Sequence, residues 1–421
     1  MRRRLAALAL VVSCAFATAS ARAQSPQPQP QPELAPSYDV RFEVRIVPTE
    51  KTAHVALHVT DPANVFRSLR FRVDPERQLA FRGDGHVLVE EASVAWTPPR
   101  GGGVLHYAVR IDHLRDESSY DARCTRSFAL LRGDDLVPPA RVRTEDRAQS
   151  KAVLQLVLPQ GWSAVLPYAP LDDDSWSIDR PERRFDRPVG WLLLGRLGVL
   201  RERVAGVHLA IGAPVGNGMR RQDLLALLRW TLPALRKIAP LPDRLALVGA
   251  ADPMWRGGLS APRSAYLHAS LPLIADDVTS PVLHEVMHVL LRARAGPGGD
   301  WAVEGLAELY SLEALVRSKT ISKRRYERGL ERIAEKGRGV KRVTVPQSSS
   351  ATTARAVGLL RELDQEIRRV SGGRKNLDDV VRALVEAPQA ISLAQFRTVS
   401  ERVAGANLAI FFDQSVLEPP D

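Results

Sequence analysis

The sequence predicts an α+β protein: a strand-rich amino-terminal half, read as a β-sandwich, followed by a mostly helical lobe with a small β-sheet at its start. Three observations lead there. Apolar residues recur with period two from Tyr38 to about Leu158, short strands alternate with a helix between residues 200 and 270, and helical periodicity dominates after Ser280.

The 421 residues, 45% hydrophobic and 25% charged, suit a folded protein of two or three domains. Met1-Arg2-Arg3-Arg4, the apolar run Leu5 to Val12, and Ala21-Arg22-Ala23 have the charged start, apolar middle and small-residue cleavage pattern of a secretory signal. Residues 1–23 are therefore read as a signal peptide, which places the mature chain in the periplasm or outside the cell. Val11-Val12-Ser13-Cys14 offers a second route, a lipid anchor on Cys14. No later apolar run is long enough to span a bilayer, since Trp191-Leu192-Leu193-Leu194 ends in Gly195-Arg196. Loss of Arg2, Arg3, Arg4 and Arg22 with the signal lowers the formal charge by four, from +11 to +7. What remains is scattered Arg, and Lys323-Arg324-Arg325 reads as a solvated helix face, so a nucleic-acid partner is not expected. Cleavage also leaves Cys124 as the only thiol, a buried small side chain that cannot form an internal disulfide.

Residues 24–36, beginning QSPQPQPQPEL, form a Pro/Gln-rich linker with nothing apolar enough to fold around. Residues 37–200 are assigned to the sandwich. Its strands show in Val40, Phe42, Val44 and Ile46, in Ala53, Val55, Leu57 and Val59, in Leu69, Phe71 and Val73, in Leu105, Tyr107, Val109 and Ile111, and around Val153 to Leu158. His54, His58 and His106 fall on the opposite face and are given no role.

Residues 201–421 form the second domain. A strand at Val207, Leu209 and Ile211 precedes a helix from Asp223 to Ile238 and a strand from Leu245 to Val248. A further strand, Ala265 to Ser270, is read as the edge of a cleft, with His268 on it more simply packed than in contact with a ligand. Ser280 can cap the next helix and Pro281 suits its first position, with Gly296-Pro297-Gly298-Gly299 as its stop and Asp300 as the cap of the one after. Helices then run from Ala356 to Val370, before Gly372-Gly373, and from Asn376, as cap, to Val385.

The chemistry lies in His284-Glu285-Val286-Met287-His288. Two imidazoles four residues apart share one helix face and can bind a single zinc, and Glu285 between them can activate water beside it. A third His is excluded, because Leu291 and Arg294 stand where that pattern needs Gly and His. No His or Cys occurs after His288, so the third ligand is an acid, and Glu304 and Glu308 lie one turn apart on the next helix. Two His and one carboxylate leave a coordination position open, as in catalytic rather than structural zinc sites.

These residues resemble the glycyl aminopeptidase family of zinc peptidases, relatives of thermolysin, over most of the mature chain. Trp301-Ala302-Val303-Glu304-Gly305 is similar to the family's Trp-x-x-Glu-Gly, and LDQEIRRVSGGRKNLDDVVRAL from Leu363 to Leu384 to its helical lobe. The resemblance implies a thermolysin-like catalytic domain in which His284, His288 and Glu304 bind zinc and Glu285 is the general base, acting on a peptide or protein substrate. Glu308 is then a candidate to orient a zinc-binding His from outside the ligand set. Two departures stand out. Gly257-Gly258-Leu259-Ser260 replaces the family's Gly-Gly-Leu-Glu, removing the acid that grips a free amino terminus. Thr352-Thr353-Ala354-Arg355-Ala356 replaces Tyr-Tyr-x-Lys-Gly, removing the Tyr that stabilises the oxyanion, with Tyr266, Tyr310 and Tyr326 as substitutes. The expected activity is zinc-dependent peptide hydrolysis, within peptides rather than at their amino ends. The alternative is a weakly active or inactive relative that binds peptides or acts as a scaffold of the cell envelope.

Overall fold

The computed structural model describes residues 35–172, 174–178, 184–387 and 390–417. The signal-peptide segment, Cys14 and all but the end of the Pro/Gln-rich linker lie outside the described residues.

The period-two segments are strands in which one alternating set of apolar residues faces inward. In Ser37–Val47, Val40, Phe42, Val44 and Ile46 are buried while Asp39, Arg41 and Arg45 are exposed. This strand pairs antiparallel with Thr52–Asp61 and parallel with Gln149–Val157, inside a seven-stranded sheet. A four-stranded antiparallel sheet of Ala140–Thr144, Phe66–Arg72, Ser93–Thr97 and His86–Glu90 contributes Leu69, Phe71, Val94 and Trp96 to the same apolar core. Cys124 is buried there as a free thiol. The amino-terminal part is thus sheet-rich, as expected.

It holds one sheet more than a simple sandwich reading provides. Five strands run in the order Ser163–Val165, Trp191–Gly195, Phe128–Arg132, Tyr120–Cys124, His113–Leu114. Every residue of Trp191–Gly195 is buried. Leu192 and Leu194 enter the amino-terminal core, whereas Trp191 and Leu193 pack with Ala246, Val248 and Tyr266 on the other side. A strand covered on both faces has no alternation, which is why its apolar run carries no period-two signal.

The following sheet takes the order Leu197–Val204, Val207–Pro214, Arg244–Ala250, Ser264–His268, Gly258–Ala261. Arg244–Ala250 is parallel to both neighbours, and Gly258–Ala261 is the antiparallel end strand. The expected cleft edge is therefore corrected: Ser264–His268 lies inside the sheet, because the short Gly258–Ala261 hairpin partner covers it. His268 is 3% exposed, accepts the Ser270 amide N–H at 3.2 Å, and is packed as expected.

Helices dominate the remainder of the chain. Arg221–Arg236 backs the sheet, and Pro281–Leu291, Asp300–Arg317, Lys323–Lys336, Ser350–Val370, Leu377–Glu386 and Leu393–Ala404 share one core with it. Ser350–Val370 begins six residues before the expected start, because Ser349 accepts the Thr352 N–H and caps it. Asn376 caps Leu377–Glu386, as the sequence suggests, and the structure adds a reciprocal box with Asp379. No helix among the described residues is long and apolar enough to cross a membrane.

Candidate metal centre

Pro281–Leu291 forms where expected: the Ser280 hydroxyl oxygen accepts the Leu283 N–H at 3.2 Å, and Pro281 opens the first turn. Val282, Leu283, Val286, Met287, Leu290 and Leu291 bury the remaining faces, which leaves His284, Glu285 and His288 only partly covered. The helix stops earlier than the Gly-rich segment implies, at Arg292, whose left-handed φ of 50° lets its N–H reach the His288 carbonyl.

Asp300–Arg317 packs against this helix and brings the carboxylates. Asp300 is its first residue rather than its cap, and its carboxylate accepts the Ser348 N–H at 2.6 Å, tying down the segment before Ser350–Val370. Trp301 is fully buried, edge-on to Phe396 with ring centres 5.6 Å apart. Gly305 has a physical reason of its own: a Cβ there would lie 2.7 Å from the Ala356 Cβ, so only glycine lets the two helices approach this closely.

Glu304 faces the imidazoles. His284 Nε2 and His288 Nε2 are 3.0 Å apart, and the two Glu304 oxygens are 3.4 Å from the first and 3.5 Å from the second. A tetrahedral cation with bonds of about 2.0–2.1 Å separates its ligand atoms by roughly 3.3 Å. His284, His288 and Glu304 could therefore hold one metal ion, a conclusion their mutual distances support within 4.8 Å. Glu308 lies 2.9 Å from His284 Nδ1, the other ring nitrogen. With the Nδ1–H donated there, the Nε2 lone pair is left facing the centre.

The electrostatics agree with this geometry. Burial opposes a charged His284, but the Glu304 and Glu308 carboxylates outweigh it and raise the ring to about 10 when no cation is present. Burial alone would raise Glu304, yet its bonds to His284 and His288 hold it far below the usual carboxylate range. A raised imidazole beside a depressed carboxylate marks a place that favours positive charge, which is what a divalent cation would supply.

Glu285 faces the end strand. Its pKa is raised by burial despite both imidazoles, and the Ser260 backbone N–H donates to it. A Cβ on Gly258 would stand 2.5 Å from the Glu285 Cγ and 2.8 Å from its Oε1, so the strand backbone itself forms one wall for this carboxylate. A cavity of about 350 Å³ opens beside it, lined by His284, Glu285, Glu304, Glu308, Thr353 and Lys336 among others.

The substitutes proposed for the missing Tyr are not at this centre. Tyr266 donates to the Trp255 carbonyl at 2.7 Å, Tyr310 to Asp378 at 2.8 Å, and Tyr326 to Glu313. Each hydroxyl is thus engaged by a hydrogen bond with a residue that does not line the cavity. Of the two threonines, Thr352 is buried with its hydroxyl 2.9 Å from that of Ser349, and only Thr353 reaches the cavity. Sequence reasoning missed Lys336 and the wall made by Gly258; the only available hint was the glycine next to the first and the Gly-Gly pair that contains the second.

No family model and no curated protein matches this sequence. Solved structures do. An aminopeptidase N family protein from Idiomarina loihiensis aligns over 82% of this chain and 70% of its own, with a TM-score of 0.61 at 15% identity. The chain shares its fold with M1 zinc metallopeptidases. One from Deinococcus radiodurans aligns over 92% of this chain and 94% of its own, with a TM-score of 0.57 at 15% identity. A mutant of an M1 zinc metallopeptidase from the same organism, bound to a Tyr-Ser-Ala substrate, aligns over 88% and 91% with a TM-score of 0.55 at 15% identity.

Proposed function

We propose that this protein is a zinc peptidase, with His284, His288 and Glu304 holding the metal and Glu285 as the general base. The observation that carries the reading is the meeting of two Nε2 atoms and one carboxylate at tetrahedral spacing beside a half-buried, backbone-walled Glu285. When bound, zinc would supply Lewis acidity, lowering the pKa of water and polarising a peptide carbonyl. Glu308 fixes the His284 ring and its tautomer. Gly258 and the Ser260 N–H hold the Glu285 carboxyl in place, where it removes a proton from the attacking water and passes it to the amine nitrogen as the C–N bond breaks. The exposed edge of Gly258–Ala261 can pair with an extended peptide, which aligns a backbone carbonyl without demanding a particular side chain.

The fold likeness to peptidases favours this over a binding-only relative, and so does Glu285, which a purely zinc-holding site would not need. Glycyl aminopeptidase kinship and a thermolysin-like arrangement are finer readings that rest on Trp301, Glu304, Gly305 and the Gly257-Gly258-Leu259 run. Cleavage within peptides rests on Ser260, a neutral residue where a free amino terminus would need an acid. The division at about residue 200 and export of the mature chain, with the lipid anchor at Cys14 as a second route, are likewise our readings of the sequence. The test is a mixed peptide library incubated with the zinc-loaded mature chain and profiled by mass spectrometry. Glu285→Gln is expected to abolish cleavage with zinc content unchanged, and equal turnover by that variant would eliminate the mechanism.

A further inference from the structure

We propose that Lys336 selects peptides that carry a carboxylate, a free C-terminus or an Asp or Glu side chain, within one or two residues of the bond that is cut. This rests on the peptidase reading above and names its substrate class.

Lys336 lines the same cavity as His284, Glu285 and Glu304, and it is the only Lys or Arg among the lining residues. The four acids there are each accommodated. Glu304 faces both imidazoles, Glu308 bonds His284, Glu285 takes the Ser260 N–H, and Asp277 accepts from the Thr279 amide and hydroxyl at 3.1 and 2.7 Å. Lys336 has no ion pair or side-chain hydrogen bond among the described residues, whereas Lys323 on the same helix pairs with Glu327. The cavity therefore offers one unpartnered positive charge to whatever enters it.

Its position is set by the backbone. Lys336 ends the helix Lys323–Lys336, and the next residue, Gly337, lies so close to the helix Ser350–Val370 that a Cβ would stand 2.6 Å from Arg355 N and 3.0 Å from the Ala354 carbonyl carbon. Ile333, one turn earlier, is buried and forms part of the same wall. The flexible stem thus starts from a fixed point beside the metal centre. A cavity of about 350 Å³ is at the lower end of ligand pockets, roughly 300–1,000 Å³, so it holds a short piece of chain and an anion reaching Lys336 lies near the reacting bond. Lys is a compact point charge, which recognises a carboxylate without a fixed bidentate geometry.

The test uses the zinc-loaded mature chain and matched peptide pairs, a C-terminal acid against its amide and an internal Glu against Gln. The carboxylate member is expected to show a KM about three- to fivefold lower with kcat little changed, the upper part of the range for an ion pair at an exposed site. Lys336→Met should erase the difference and Lys336→Arg should restore most of it. Calorimetric binding of the same pairs to the Glu285→Gln protein reads the preference without turnover. Equal affinity within both pairs, or a preference that survives Lys336→Met, overturns the proposal even if the peptides are cut. If no peptide is cut, the peptidase reading falls, while the binding arm still decides the preference. The pair that responds shows whether the terminal or the side-chain carboxylate is the group selected.

Discussion

Gly258 shows how a missing side chain can be part of a reaction centre. Its Cα lies where any Cβ would collide with the Glu285 side chain at 2.5–2.8 Å, so the carboxyl is confined between the strand backbone and its own helix. Substitution by Ala must move either the strand or the carboxyl. A misplacement of about 1 Å in a reacting group can lower the rate on the order of a hundredfold. Gly258→Ala is therefore expected to reduce kcat/KM by about that factor while zinc content, read by atomic emission, stays at the wild-type level. Loss of zinc in the variant would show that the strand supports the ligands rather than Glu285. The spacing of His284, Glu285 and His288 in one helix announced the centre, but Gly258 lies 27 residues upstream and only the fold brings it near.

The helices Asp300–Arg317 and Leu377–Glu386 are joined at one polar junction. Arg317 donates to both oxygens of Asp378, at 2.7 and 3.1 Å, and the buried Tyr310 hydroxyl donates to Asp378 Oδ1 at 2.8 Å. Burial raises the Asp378 carboxyl, but Arg317 and Tyr310 outweigh it and hold its pKa below the ordinary value. A depressed carboxyl stabilises the folded chain above its unfolded pKa of about 3.9, and that contribution disappears as pH falls through the folded value. Asp378→Asn should consequently lower Tm at pH 7, with the gap to wild type narrowing steadily below about pH 4. A gap that stays constant from pH 7 to pH 3 would mean that charge at this junction contributes nothing. The same junction steadies the helix that carries Glu304. It was not legible beforehand, since Tyr310 and Asp378 are 68 residues apart and nothing in the sequence pairs them.

Trp191 connects the amino-terminal sheets to the metal-bearing lobe. Its ring is fully buried against Tyr266, with centres 5.3 Å apart, and its Nε1–H donates to the Leu259 carbonyl at 2.7 Å. Leu259 comes directly after Gly258 in the end strand, so a residue of the amino-terminal sheets anchors the wall behind Glu285. Trp191→Ala is expected to destabilise the protein by about 3–5 kcal/mol through lost packing and the cavity left behind, measured by denaturant unfolding. Trp191→Phe keeps much of the packing and removes the hydrogen bond, and it should raise KM more than it lowers stability. An unchanged KM in the Phe variant would show that the end strand is held without this bond.

What the chain determined alone is local. Period-two burial in Ser37–Val47 and Thr52–Asp61, the Ser280 and Asn376 caps, and the pairing of His284 with His288 each depend on neighbours within one turn or one strand, so side-chain spacing suffices to show them. The tertiary structure decided what joins distant segments: how far the Glu304 carboxylate, already picked out by the resemblance, stands from both Nε2 atoms, that Gly258–Ala261 is the end strand, and that Lys336 shares the cavity. It also gave the hydroxyls of Tyr266, Tyr310 and Tyr326, which the sequence could not place, to Trp255, Asp378 and Glu313. The reason is physical. Helical or strand geometry places side chains relative to their own axis, whereas the distance between two axes is set by close packing, where one Cβ at Gly305 or Gly337 is enough to keep two helices apart.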